Sequence, residues 1–85
     1  MSSEQEMSKK VYLTFPKDLI QEPVIYRLGH TFQVVTNIRT ASVSEEIGLV
    51  GLELIGTAEE IEKAIQYLRD LGVIVEPIEK SIVEG

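Results

Sequence analysis

The 85-residue sequence has no cysteine, no tryptophan and a single histidine. Without cysteine it can form neither a disulfide nor a thiolate metal site, and a small core has no covalent staple. One histidine, His30, cannot build a recognisable metal site or a nucleophile–base pair; near a helix C-terminus it suits the helix dipole instead. Basic residues are also scarce. Eight Lys and Arg against fourteen Asp and Glu leave a formal charge of -6, the wrong sign for phosphate backbones or anionic membrane surfaces. No apolar run approaches the ~18 residues of a membrane span, and the opening MSSEQEMSKK lacks the apolar core of a signal peptide. A cytoplasmic protein with no membrane insertion, no metal and no cofactor is therefore expected, and the lack of a nucleophile and base argues against an enzyme.

The residues present are ordinary for a globular domain, 44% hydrophobic and 26% charged. A chain this short buries only about 60 to 65% of its unfolded surface, so a homodimer is expected to supplement the core. The most ordered pattern lies between Val34 and Gly56, where two alternating segments flank a short polar turn. In the second segment Val50, Leu52 and Leu54 share one face, while Ile47, Leu49, Gly51, Glu53 and Ile55 share the other. The first set reads as core and the second as a mixed, open face. Upstream, Val11, Leu13 and Phe15 alternate with Tyr12 and Thr14, giving another half-buried strand.

Two helices complete the pattern. Pro23 begins an amphipathic stretch carrying Val24, Ile25 and Leu28, so a helix is expected over about 21–30. Thr57-Ala-Glu-Glu60 has capping-box spacing, Ile61, Ala64, Ile65, Leu68 and Leu71 follow at helical intervals, and Gly72 supplies a stop, placing the second helix at 58–71. Strands are expected at 9–15, 33–43, 47–55 and 73–78, the last ending against Pro77. Residues 1–8 read as a flexible tail, 9–79 as the domain and 80–85 as a frayed end. The order β-α-β-β-α-β with right-handed crossovers gives an α+β, ferredoxin-like sandwich, sheet order 4-1-3-2, with both helices on one face. RNA-binding domains share this order, but their third strand displays aromatics for base stacking. The segment Ile47–Ile55 has none.

Several separated stretches agree in order with a known family: Phe15, the helix start Glu22-Pro23-Val24-Ile25, Asn37-Ile38, Leu54-Ile55-Gly56, and Leu68-Arg69-Asp70-Leu71-Gly72-Val73. Over Val11 to Ile78 the chain resembles the NIL domain. The resemblance implies an ACT-like regulatory domain of the kind found at the C-terminus of methionine-importer ATPase subunits, where it dimerises, binds methionine and represses transport. Asn37 and Ile38 match the first two letters of the family motif, and Arg39 stands where leucine is usual. The sequence has no glycine-rich phosphate loop, so the chain is expected to act alone or through a separate transporter or enzyme subunit.

Strand register points to the candidate site. If Ser44-Glu45-Glu46 form the turn, Val43 pairs with Ile47, Ala41 faces Leu49, Arg39 faces Gly51 and Asn37 faces Glu53, all on the open face. Gly51 would make room for the Arg39 stem, Arg39 could hold a carboxylate, Glu53 an ammonium, and Asn37 either group. Leu49 and Ile55 would receive an apolar side chain. These six residues form the expected binding site for an amino acid such as methionine. The same residues also fit an exposed ion pair on an adaptor domain that binds no ligand.

Overall fold

The computed structural model describes residues 5–78, so the expected frayed end at 80–85, and part of the expected tail, lie outside the described residues. Strand β1 (Met7–Pro16) leads through a single 3-10 turn (Lys17–Leu19) to helix α1 (Val24–Thr31), strands β2 (Val35–Val43) and β3 (Ile47–Gly56), helix α2 (Ala58–Leu71) and strand β4 (Ile74–Pro77). The sheet is antiparallel with order β2-β3-β1-β4. This is the expected ferredoxin-like order read from the other edge.

Burial follows the alternation. Val11, Leu13, Leu52 and Leu54 are fully buried on one sheet face and form a single cluster with Val24 and Leu28 of α1 and Ile61, Ala64, Ile65 and Leu68 of α2. On the opposite face Tyr12, Leu49 and Ile74 remain exposed. Both helices therefore cover one face. Phe32, just beyond α1, meets Tyr67 of α2 edge-on at 5.4 Å, a favoured aromatic geometry that closes the layer between the helices.

Element boundaries differ from expectation where local hydrogen bonds act against the apolar pattern. β1 starts at Met7 because β3 continues to Gly56 and pairs Met7 with Gly56 and Ser8 with Ile55, a stretch whose Ser-Lys-Lys composition carries no strand signal. α1 starts at Val24 rather than near residue 21: Pro23 is its N-cap, and the Val24 N–H turns back onto the Glu22 carbonyl at 2.7 Å. α2 begins and ends as expected. Thr57 Oγ1 accepts from the Glu60 N–H at 3.2 Å, and Gly72 adopts φ 107° while the N–H groups of Gly72 and Val73 bond to the Arg69 and Leu68 carbonyls. Glu60 does not close the capping box with its side chain. Its Oε1 accepts instead from the Gln33 N–H at 2.9 Å, tying α2 to the approach of β2 and, chiefly through that bond, holding the carboxyl below its usual pKa.

Candidate functional site

The open sheet face is where the expected site residues meet, through a register that departs from the simple hairpin. Ser44 organises the turn: its N–H bonds to the Ile47 carbonyl at 2.9 Å, and its Oγ accepts from the N–H groups of Glu46 and Ile47 at 3.2 Å. Val43 therefore pairs with Gly48, one residue beyond the expected Ile47. The shift persists through Ala41–Val50 and Thr40–Gly51, then a bulge at Arg39 absorbs it, so that Ile38 pairs with Leu52 and Asn37 with Glu53. Two deviations cancel. The expected pairings Arg39–Gly51, Ala41–Leu49 and Val43–Ile47 are thus corrected, while Asn37–Glu53 stands.

The bulge changes what Gly51 does. Thr40, not Arg39, lies opposite it, and a Cβ on Gly51 would sit 2.7 Å from Thr40 Oγ1 and 3.5 Å from Tyr12 Cε1. Gly51 makes room for a threonine hydroxyl and a tyrosine ring from its two neighbouring strands. Freed from the ladder, Arg39 reaches along the face: its Nη1 lies 3.3 Å from Glu53 Oε1, and Asn37 Nδ2 lies 3.5 Å from the same oxygen. Glu53 is the most enclosed member, its side chain 16% exposed against 51% for Arg39. Its second oxygen, Oε2, accepts no hydrogen bond among the described residues. The cluster offers a guanidinium, an amide and a partly shielded carboxylate within one small area, the complement of a zwitterion.

The apolar members are not all within reach of that cluster. Ile55, half-buried, is two residues from Glu53, roughly 7 Å at strand rise, whereas Leu49 is four residues away on the other side, roughly 13 Å. Ile55 faces Val35 across the ladder and Leu49 faces Ser42 and Thr14. Val35, which the sequence reasoning did not include, is exposed and stands beside Ile55. Its signal was the same alternation that put Asn37 on this face. Thr40 was missed because no residue type marks a bulge. Elsewhere, His30 stacks on Tyr26 at 4.1 Å on the outer surface of α1 and bonds through Nδ1 to the Tyr26 carbonyl. No group of three or more His, Cys, Asp or Glu suited to a metal occurs among the described residues, and no described helix is long and apolar enough to cross a membrane.

Residues 9–77 match the NIL domain, and the chain belongs to that family. It is 40% identical over 76 residues to the iron–sulfur subunit of L-aspartate semialdehyde sulfurtransferase from Methanocaldococcus jannaschii, covering 89% of this chain and 57% of that one. It is 34% identical to an uncharacterized Synechocystis protein, covering 87% and 78%. It is 28% identical to the methionine import ATP-binding protein MetN of Helicobacter pylori, covering 86% of this chain and 24% of MetN. The chain thus spans little more than half of the archaeal relative and a quarter of the importer subunit. Among solved structures, the C-terminal domain of an ABC transporter ATP-binding protein from Enterococcus faecalis superposes with a TM-score of 0.74 at 27% identity, covering 86% of each chain. That likeness agrees with the four-stranded sheet and two-helix layer described above.

Proposed function

We propose that this chain is a non-catalytic regulatory module of the cytoplasm that binds a small amino acid, methionine or a close analogue, where two copies meet, and acts on a transporter or other partner subunit. The observation that carries the reading is the convergence of Asn37, Arg39 and Glu53 on the helix-free sheet face. A ligand carboxylate would take Arg39, its ammonium Oε2 of Glu53, and Asn37 would bridge the two. Its side chain would lie toward Ile55 and Val35, with a second copy covering what the single chain leaves exposed, including Tyr12, Leu49 and Ile74. Similarity to a methionine importer subunit and to an ABC transporter C-terminal domain supports both ligand class and context. The archaeal relative is an iron–sulfur subunit, but these 85 residues contain no cysteine with which to hold such a cluster.

One observation favours an adaptor without a ligand: Arg39 already pairs with Glu53 at 3.3 Å, so the two opposite charges of the cluster meet each other without a ligand. A thermal-shift series with the twenty amino acids separates the two. A ligand that binds the folded state raises the melting temperature in proportion to RT ln(1 + [L]/Kd). Stabilisation by methionine or a related amino acid and by few others supports the sensor, and a flat response to all twenty at millimolar concentration refutes it.

A further inference from the structure

The row of core-facing positions along β3 is Gly48, Val50, Leu52, Leu54 and Gly56, and its two glycines differ in what surrounds them. At Gly56 a Cβ would lie 2.8 Å from the Gln33 carbonyl oxygen, so the approach of another backbone requires glycine there. At Gly48 the nearest atoms to such a Cβ are Phe15 Cβ at 3.4 Å, Ile20 Cγ1 at 3.8 Å and Val43 Cγ2 at 3.9 Å, ordinary contact distances that a side chain could tolerate. Gly48 is itself part of the lining of a crevice on this side of the sheet. That crevice, of about 200 Å³, lies between the first turn of α1 and the hairpin end of the sheet, walled chiefly by Phe15, Ile20, Val24, Ile25 and Val43. It is on the helix side of the sheet, opposite the Asn37 cluster.

The surroundings of the crevice limit its occupant. Its volume accommodates one large apolar side chain, below the ~300 to 1,000 Å³ usual for a self-sufficient small-molecule site. It shares Ile20 and Glu22 with a wider depression whose charged lining residues are Lys17, Asp18, Glu22 and Glu45. The bases nearby are Lys17, 3.9 Å from Glu46, and Arg27, 3.5 Å from Glu22, both in exposed pairs, so among the described residues four acids outnumber two bases at this end. Val43 belongs to the sheet-edge strand β2, whose outer backbone groups are unpaired among the described residues and can take an added extended segment. We propose that this end of the domain docks a peptide segment of a partner protein that inserts one apolar side chain over Gly48 and sets Lys or Arg residues against Asp18, Glu22 and Glu45.

Panning a random linear peptide library against the full chain tests this directly. Enriched peptides should share an apolar residue flanked within a few positions by Lys or Arg. A synthetic peptide of the leading sequence should bind Glu22→Lys/Glu45→Lys about ten-fold or more weakly, with affinity for the unaltered chain falling as salt rises. Gly48→Val, which puts a side chain into the floor of the crevice, should weaken binding about ten-fold or more, and the charge-reversed variant, altered only at exposed positions, keeps the test decisive should Gly48→Val fail to fold. Asn37→Ala should leave peptide affinity unchanged, which separates this site from the amino-acid site. No enrichment, enrichment without the basic and apolar pattern, or unchanged binding by the charge-reversed variant would each overturn the proposal, as would binding governed by Asn37.

Discussion

Replacing Asn37 with alanine tests the amino-acid site with little disturbance to the fold. In the free protein Asn37 is exposed on an edge strand and makes one long hydrogen bond, 3.5 Å to Glu53 Oε1. A bond of that length at an exposed position contributes at most about 0.5 kcal/mol. The substitution should therefore lower the melting temperature by no more than a few degrees. In the complex the amide would be enclosed between ligand, Glu53 and a second subunit. Losing one partner of a buried hydrogen bond costs ~1 to 3 kcal/mol, so methionine affinity should fall roughly five-fold to a hundred-fold. Isothermal titration calorimetry of both proteins with methionine, alongside thermal denaturation, measures the two quantities separately. Equal affinities, or no heat of binding with the unaltered chain, would refute the assignment of Asn37. A loss of affinity accompanied by a fall of ten degrees or more would show that the residue acts on the fold instead.

Leu52 is fully buried at the centre of the sheet, so Leu52→Ala should destabilise by ~2 to 5 kcal/mol in denaturant titration, and a loss below 1 kcal/mol would contradict the core described. Gly72→Ala places a Cβ on a residue at φ 107° and should cost about 1 kcal/mol by the same measurement. Glu60 has a lowered pKa in the fold; the unfolded chain therefore binds more protons between its two pKa values, and stability rises with pH across that window. The contribution is complete above the ordinary carboxylate pKa and disappears as pH falls through the lower, folded value. Glu60→Gln should remove this part of the acid dependence, seen as a flatter stability profile on the acid side. Sedimentation velocity should show two chains per particle, and a concentration-independent monomer at tens of micromolar would remove the shared-site geometry.

How much was legible in advance depends on which force decided each feature. The core positions of β1, β3 and α2 were readable because burial acts on every second or every third to fourth residue, a signal repeated along each element. The ends of α2 were readable because Thr57 and Gly72 act through their own chemistry within one turn. The start of β1 was not: Met7 and Ser8 are strand because β3 presents partners to them, a long-range cause with no local trace. The register of the hairpin failed for a subtler reason. A three-residue turn and a four-residue turn fit the same polar Ser-Glu-Glu sequence, and the choice falls to the hydroxyl of Ser44, whose three bonds draw Ile47 into the turn.

That choice would have carried every residue of β2 to the wrong face had nothing compensated, since a slip of one residue inverts the strand. The bulge at Arg39 limits the inversion to one half of β2, so Val43 turns toward the helix side and walls the crevice over Gly48, while Asn37 stays on the open face beside Glu53. Arg39 is therefore the position of β2 that leaves the regular ladder. A leucine there would extend an apolar side chain from an exposed edge strand, whereas arginine turns the same irregularity into a contact with Glu53. Both proposed surfaces depend on this one extra residue. It rotates the far half of β2 to complete the crevice on one face and aims a guanidinium at the carboxylate on the other, so deleting Arg39 should disturb both sites while the α2-covered core, built from β1 and β3, stays in place.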